Sequence, residues 1–244
     1  MTSGEGGSHM LKGMTFNGIR KPYIFLLEGR QKAPFAPISR NINSARKHNR
    51  LKSSKRELLP ISQPIGYLVE GDVEALDVAD ELAEWLITED VVPLQFDDEP
   101  GRTYWVIVQN SIDDFDRFAY TRKGTIQFLC FYTTGESKSI NVTTESQSHL
   151  VTGQTSTPWN LEVNFTSPTN RFEFWADDIY LQLNYSFIAG DKLIIDYVGR
   201  HVILNGNDLR KAVSMSSNFE ELQLGNVSMR SSVPSTIKYD ERYY

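Results

Sequence analysis

The sequence contains little of the chemistry on which most enzymes depend. It has one cysteine, Cys130, and four histidines, none with the spacing of a metal site. CxxC, HExxH, GxSxG, P-loop and GxGxxG motifs do not occur in it. We therefore expect no catalytic residues, no metal site, no cofactor and no enzyme activity.

Long hydrophobic runs are also missing, since no stretch of 18 or more apolar residues occurs. This predicts that the chain has no transmembrane helix and no membrane insertion. Residues 1–9 are rich in Gly and Ser and lack the apolar centre of a signal peptide, so we interpret them as a cloning remnant. The natural start, at Met10 or at Met14, stays open.

Apolar residues are nevertheless frequent enough to build buried cores. Hydrophobic residues make up 40% of the 244 residues and aromatic residues 11%, and the length fits two domains of ordinary size or one large all-β domain. Cys130 lies in an apolar run and is predicted to be a buried small side chain. The polar, Thr- and Ser-rich stretch 135–148 is the best candidate for a boundary. It separates a domain at 10–136 from a domain at 137–244.

The first of these domains has one strong helix signal and several strand signals. Asn17-Gly18 predicts a hairpin turn, and strands are expected at 23–27, 57–69, 91–96, 103–109 and 125–133. Residues 72–89 have apolar residues at helical spacing and acids mostly on the opposite face. The predicted buried stripe consists of Ala75, Val78, Ala79, Leu82, Trp85 and Leu86.

Charge is distributed unevenly along the chain. The net charge is −6, yet residues 30–56 contain nine Lys or Arg and no acid, while the other 16 basic residues face all 31 acids. With Pro34 and Pro37 and little apolar periodicity, this segment is predicted to be a long loop or arm. Direct nucleic-acid binding is disfavoured because the segment has few aromatics and the protein is acidic. Its interface candidates are Arg40, Arg46, Lys47, Arg50, Lys52, Lys55 and Arg56.

Asp97, Asp98 and Glu99 form the densest carboxylate cluster in the sequence. Clustered carboxylates can bind a hard cation or share a proton. These three are consecutive, precede Pro100-Gly101 and separate two predicted strands, so an exposed acidic turn is the simpler interpretation. We also take them as candidates to face a basic neighbouring subunit.

The second domain is predicted to be an antiparallel β-sandwich, because short strands recur about every ten residues with turn signals between them. The fold class is therefore mainly β with one helix, in the first domain. The last strand is left as a candidate to return to the first domain. Strands are expected at 159–165, 171–175, 179–183, 192–197, 201–204, 219–224 and 236–239.

Aromatic residues are concentrated in this second domain, and two interpretations stay open for them. Alternating aromatics on strands are mostly core residues. Exposed aromatics on a sandwich can instead form a platform for sugars, and Trp175 and Tyr180 are the candidates for it.

Several segments, in this order, resemble the distal tail proteins of siphovirus-type phages, which have long non-contractile tails. In the first domain they are MTFNGI from Met14, Trp85-Leu86, and PLQFDDEPGRTY from Pro93. In the second they are GDKLIID from Gly190, VILNG from Val202, FEELQLGN from Phe219 and IKYDERYY from Ile237.

This resemblance implies a structural virion protein at the distal end of the tail. The first domain would form a hexameric ring, with rings pairing back-to-back in the isolated protein, and the second would be a galectin-like β-sandwich. The ring would bind the tail tube protein on one face and a tail-associated hub, lysin or fibre protein on the other. The alternative is a carbohydrate-binding module for attachment to the bacterial surface.

Overall fold

The computed structural model describes residues 12–45, 48–68, 72–109, 113–118 and 121–244, so the predicted cloning remnant lies outside the described part. The chain divides into two compact units. The first runs to Thr133 and includes Tyr244, and the second is Thr134–Tyr243. The division falls within a strand, Thr121–Val142, which extends into the polar stretch at 135–148.

The first unit is a β-structure with one α-helix among its described residues. Strand β11 contributes its first part to this unit. The elements in chain order are β1 (Met14–Phe16), β2 (Ile19–Arg20), β3 (Ile24–Leu26), β4 (Gln31–Lys32), β5 (Ile38–Ala45), β6 (His48–Arg56), β7 (Leu59–Leu68), α1 (Asp72–Leu86), β8 (Val92–Phe96), β9 (Thr103–Val108), β10 (Asp113–Phe118) and β11 (Thr121–Val142).

Most of these strands form one antiparallel sheet. Its order is β2-β1-β8-β9-β11-β7, with β3 and β4 paired to β7 and β10 paired to β11. The Leu26 N–H donates to the Lys12 carbonyl at 2.8 Å, which brings the β3 edge next to the chain that enters β1. The predicted turn at Asn17-Gly18 joins β1 to β2 with positive φ at both residues, the conformation that Asn-Gly favours.

Helix α1 covers the core of this sheet with Leu82, Trp85 and Leu86, all buried. The Trp85 ring meets the Phe16 ring edge-on at 5.8 Å, and its indole N–H donates to the Phe16 carbonyl at 3.2 Å. The predicted stripe is wrong at Ala79, which is exposed on the outer side of the helix. The side chain of Ala75 lies outside the described residues.

The basic segment, predicted to be a long loop or arm, has regular structure. Its larger part forms an antiparallel hairpin in which the described residues of β5 and β6 pair with each other as a separate two-stranded sheet. The Glu57 N–H donates to the Pro37 carbonyl at 2.8 Å and joins the two ends of the hairpin at its base. The few apolar residues of the segment nevertheless share a face, because the pairing register places Ile38, Ile42 and Leu51 on one side of the two-stranded ribbon.

The second unit contains the rest of β11 and a β-rich remainder with one short 3-10 helix at Arg210–Ala212. The strands are β12 (Gln147–Val151), β13 (Trp159–Asn164), β14 (Thr169–Ala176), β15 (Ile179–Phe187), β16 (Lys192–Asp196), β17 (His201–Leu204), β18 (Asn207–Asp208), β19 (Gly225–Ser231) and β20 (Ser235–Tyr243).

These strands form the predicted β-sandwich. One sheet has the order β18-β17-β16-β13-β20-β11 and the other the order β12-β19-β14-β15. Alternate residues of β13 are buried, and Phe165 and Phe187 stack at 4.2 Å within the core. The strand predicted at 219–224 is wrong, because that segment makes only an isolated bridge through Leu222, and β19 follows it.

Candidate assembly surfaces

The acidic turn lies between β8 and β9, and its carboxylates are paired within the same chain. Both terminal nitrogens of Arg20 donate to Asp97 at 2.6 Å, and the Gly13 N–H donates to it at 2.7 Å. Arg30 donates to Asp98 at 2.8 Å and to Glu99 at 2.7 Å. The turn is thus attached to the strands and loops that precede β5.

Glu99 is the most enclosed of the three acids. Lys32 donates to it at 2.6 Å, and the hydroxyl of Tyr104 donates to the same carboxylate oxygen. Burial alone would raise the pKa of Glu99, but the hydrogen bonds from Lys32, Tyr104 and Arg30 outweigh burial and hold that pKa below its ordinary value. The pKa of Asp97 is lowered mainly by its hydrogen bond from Arg20, against an opposing effect of burial.

Arg30 connects this cluster to the core of the first unit. Its guanidinium lies 3.8 Å from the centre of the Phe96 ring, and its Nε donates to the amide oxygen of Gln63 at 2.5 Å. Gln63 is fully buried and donates in turn to the carbonyls of Leu27 and Pro64. Since its charge is matched inside one subunit, the acidic turn has less attraction left for a basic neighbour.

The basic hairpin has the opposite character. Every residue of β5 and β6 whose side chain is described is exposed. Arg56 rests over the Tyr244 ring at 4.3 Å. The predicted residues Arg46 and Lys47 lie outside the described part of the chain. The other predicted cations, all on the two strands, are Arg40, Arg50, Lys52, Lys55 and Arg56.

The pairing register gives the hairpin two different faces. Ile38, Ile42 and Leu51 share one face with two cations, since Ile42 pairs with Leu51 and Ile38 with Arg56. The other face is polar and basic, with Arg50 opposite Asn43 and Lys55 opposite Ser39. A register shift at Lys52 separates the two halves of β6.

A second surface, which the sequence stripe did not predict, lies on the outer side of α1. Leu76, Ala79, Ala83 and Ile87 are exposed there at spacings of three and four residues. The Ile87 N–H donates to the Ala83 carbonyl at 3.0 Å, so the helical turn continues to it. Three exposed acids flank this row, namely Asp77, Asp80 and Glu84. They form no ion pair among the described residues.

The two sugar-platform candidates lie together on the outer face of the β14–β15–β19 sheet. Trp175 pairs with Tyr180 on one side and with Arg230 on the other, and the Arg230 guanidinium lies 4.0 Å from the Trp175 ring centre. The Tyr180 hydroxyl contacts Glu173 and Gln182, each at 2.8 Å. A stacking platform needs an open ring face, whereas Trp175 is flanked from both neighbouring strands. This arrangement disfavours Trp175 as a platform.

Three further features concern metal binding, membrane spanning and the single thiol. No group of three or more His, Cys, Asp or Glu among them could hold a metal ion. No described helix is long and apolar enough to cross a membrane. Cys130 is buried, as predicted, and burial raises the pKa of its thiol.

Two family profiles match the chain, one in each unit. Residues 50–130 match the phage tail protein RIFT-related domain, and residues 152–243 match the C-terminal domain of the siphovirus-type tail component. The distal tail protein of Bacillus phage SPP1 is 29% identical over 160 residues. That alignment covers 62% of this chain and 63% of the relative, so the chain spans less than two thirds of the relative's length.

Solved structures share the fold. The crystal structure of SPP1 Dit superposes with a TM-score of 0.85 at 19% identity, over 96% of this chain and 100% of that chain. A chain of the phage P2 baseplate in its activated conformation gives 0.58 at 8% identity, over 95% of this chain and 98% of that one. At these identities the likeness shows the fold alone.

The first unit is thus similar to a phage tail protein domain, and the second is similar to the C-terminal domain of a siphovirus-type tail component. Among the proteins of this kind, the chain is similar in sequence to the distal tail protein of Bacillus phage SPP1.

Proposed function

We propose that this protein is a structural subunit at the distal end of a siphovirus-type tail and that it works there without catalysis. The observation that carries the proposal is the superposition on SPP1 Dit across the whole of that chain, with tail-protein profiles in both units. SPP1 Dit is described as a paradigm of the hub adsorption apparatus in phages that infect Gram-positive bacteria. We assign the same location, the tail tip of the virion, to this chain.

The working form in this proposal is a closed ring of six copies. Rings are built from one heterologous contact repeated until it closes, and such a contact needs two complementary surfaces on each subunit. The exposed basic hairpin supplies one surface of the right kind, with Arg40, Arg50, Lys52, Lys55 and Arg56 on it. One face of the ring binds the tail tube, and the other binds the hub or fibre protein.

Imaging and mass measurement test this function together. The concentrated protein should give rings with a central hole in negative stain and a particle mass of six subunits, or of twelve where two rings pair. Antibodies against the protein should label the tail tip of virions of the phage that encodes it. Label along the tail shaft or on the capsid, or a monomer at every concentration without rings in the virion, would contradict the proposal.

A further inference from the structure

The hairpin of β5 and β6 is exposed in a way that a single subunit does not explain. Its aliphatic row is open to solvent, with Ile38 46% exposed, Ile42 56% and Leu51 55%. A two-stranded ribbon is only marginally stable in water unless it packs against something. The row therefore indicates a surface that another molecule covers, and Arg40 and Arg56 on the same face favour an acidic one.

The outer side of α1 has the complementary composition. Leu76 is 68% exposed and Ile87 is 77% exposed, and Ala79 and Ala83 lie between them on the same side. Small alanines in the middle of the row allow a flat sheet to approach the helix closely. The acids Asp80 and Glu84 lie beside this row.

The two surfaces also match in length. The 15 residues of α1 span about 22 Å, at about 1.5 Å per residue. The eight residues of β5 span about 26 Å, at about 3.3 Å per residue. One hairpin can thus cover the helix from Leu76 to Ile87.

We propose that the β5–β6 hairpin of one subunit docks through its aliphatic face on the outer side of α1 of a second copy of this chain. Ile38, Ile42 and Leu51 pack on the exposed row of the helix. Arg40 and Arg56 lie opposite the acids beside that row. The inference rests on the proposed ring, for which this contact is the repeated heterologous interface.

A second copy fits this face better than a nucleic acid does. Phosphates are bound by cations and polar groups, and an aliphatic row adds nothing to their recognition. Asp77, Asp80 and Glu84 of α1 form no ion pair among the described residues, whereas the acids of the turn already bind Arg20, Arg30 and Lys32. These three acids therefore offer unmatched negative charge beside the exposed row of the helix.

Cross-linking between two differently tagged chains tests the contact directly. A chain with Ile42→Cys is co-expressed with a chain with Ala83→Cys and treated with a short bis-maleimide. We expect at least about tenfold more cross-linked heterodimer than from Ile42→Cys with Leu150→Cys, where Leu150 is an exposed residue of the second unit. Wild-type protein is the background control, because its only thiol, Cys130, is buried. Equal cross-linking in the test and control pairs would overturn the proposal.

A charge exchange tests the same contact without cysteines. Arg40→Glu with Arg56→Glu, or Asp80→Lys with Glu84→Lys, should each weaken self-association at least about tenfold, since like charges then face each other. The four changes together should restore association to within about threefold of wild type. Arg50→Glu with Lys55→Glu is the matched control, because it makes the same charge change on the opposite face and should weaken association less.

The readouts separate this contact from the ring itself. Rings that form normally, without selective cross-linking and without rescue by the charge exchange, would overturn the hairpin–helix contact and leave the proposed function standing. Absence of both rings and selective cross-links would overturn both proposals. Selective cross-links without six-subunit rings would support the contact and overturn the proposed stoichiometry.

Discussion

The acidic turn and the basic hairpin are both rich in charge, but the fold treats them in opposite ways. The turn at Asp97, Asp98 and Glu99 is held by cations of its own chain, and one of these, Arg30, also donates to the buried amide of Gln63. The hairpin leaves its described side chains exposed and pairs its two strands only with each other. In the sequence both segments are marked by their charge. The structure distinguishes them, because the turn has oppositely charged side chains beside it and the hairpin is exposed.

This difference indicates that the acidic turn and the basic hairpin have different functions. Partly buried pairs with several hydrogen bonds fix a local structure, and removal of one partner leaves the other uncompensated. Exposed charges contribute little to folding but can orient and select a partner. We therefore expect changes in the turn to alter stability and changes in the hairpin to alter assembly.

The largest expected effect on stability comes from Arg30→Ala in the turn cluster. Arg30 is mostly buried and binds Asp98, Glu99 and Gln63, so its loss leaves all three with fewer partners. We expect the free energy of unfolding to fall by about 2–3 kcal/mol in urea denaturation. Arg50→Ala on the hairpin is the matched control and should change it by less than about 0.5 kcal/mol. Equal losses for the two arginines would remove the distinction between turn and hairpin.

A smaller effect, with a definite pH dependence, is expected from Glu99→Gln. Because the pKa of Glu99 is lowered in the folded state, its stabilisation is present above the unfolded pKa of about 4.3 and is lost as the pH falls through the lower folded value. The variant should be about 1–2 kcal/mol less stable than wild type at pH 7. This difference in the free energy of unfolding between variant and wild type should become smaller as the pH falls from 5 to 2.

The measurement for Glu99→Gln is the midpoint of urea unfolding across this pH range. Glu145→Gln is the control, because Glu145 is exposed in the second unit and is expected to show almost no gap at any pH. A gap for Glu99→Gln that stays constant down to pH 2 would mean that the ionised carboxylate is not what stabilises the turn.

The sequence predicts those parts of the fold in which one local signal dominates. Asn17-Gly18 and Asn205-Gly206 both adopt the positive φ angles of hairpin turns, and His201–Leu204 forms the strand expected there. The core interpretation of the aromatics is confirmed for Trp159 and Phe165, both buried. In these cases turn chemistry or period-two alternation is stronger than any competing signal.

Other parts depend on partners that are distant in sequence. The strand β11 continues through a polar stretch because it has neighbours to pair with, which no local pattern reveals. The apolar residues of α1 at helical spacing lie on two different sides of the helix. Spacing alone therefore predicts that Ala79 is buried, although it is exposed. The ion pairs of the turn join Asp97 to Arg20 and Glu99 to Lys32, across most of the first unit, and sequence spacing does not predict such pairs.

The smallest expected effect on stability comes from removal of the whole hairpin. Because the Glu57 N–H binds the Pro37 carbonyl at its base, Gly-Gly can replace residues 38–56 and close the same gap. We expect the melting temperature to change by no more than about 3 °C, since the hairpin buries none of its described side chains. Light scattering should show that the shortened chain no longer forms the ring, because the hairpin supplies one side of its proposed interface. A fall in melting temperature of more than about 5 °C would show that the hairpin stabilises the fold. An unchanged oligomer would contradict its role in assembly.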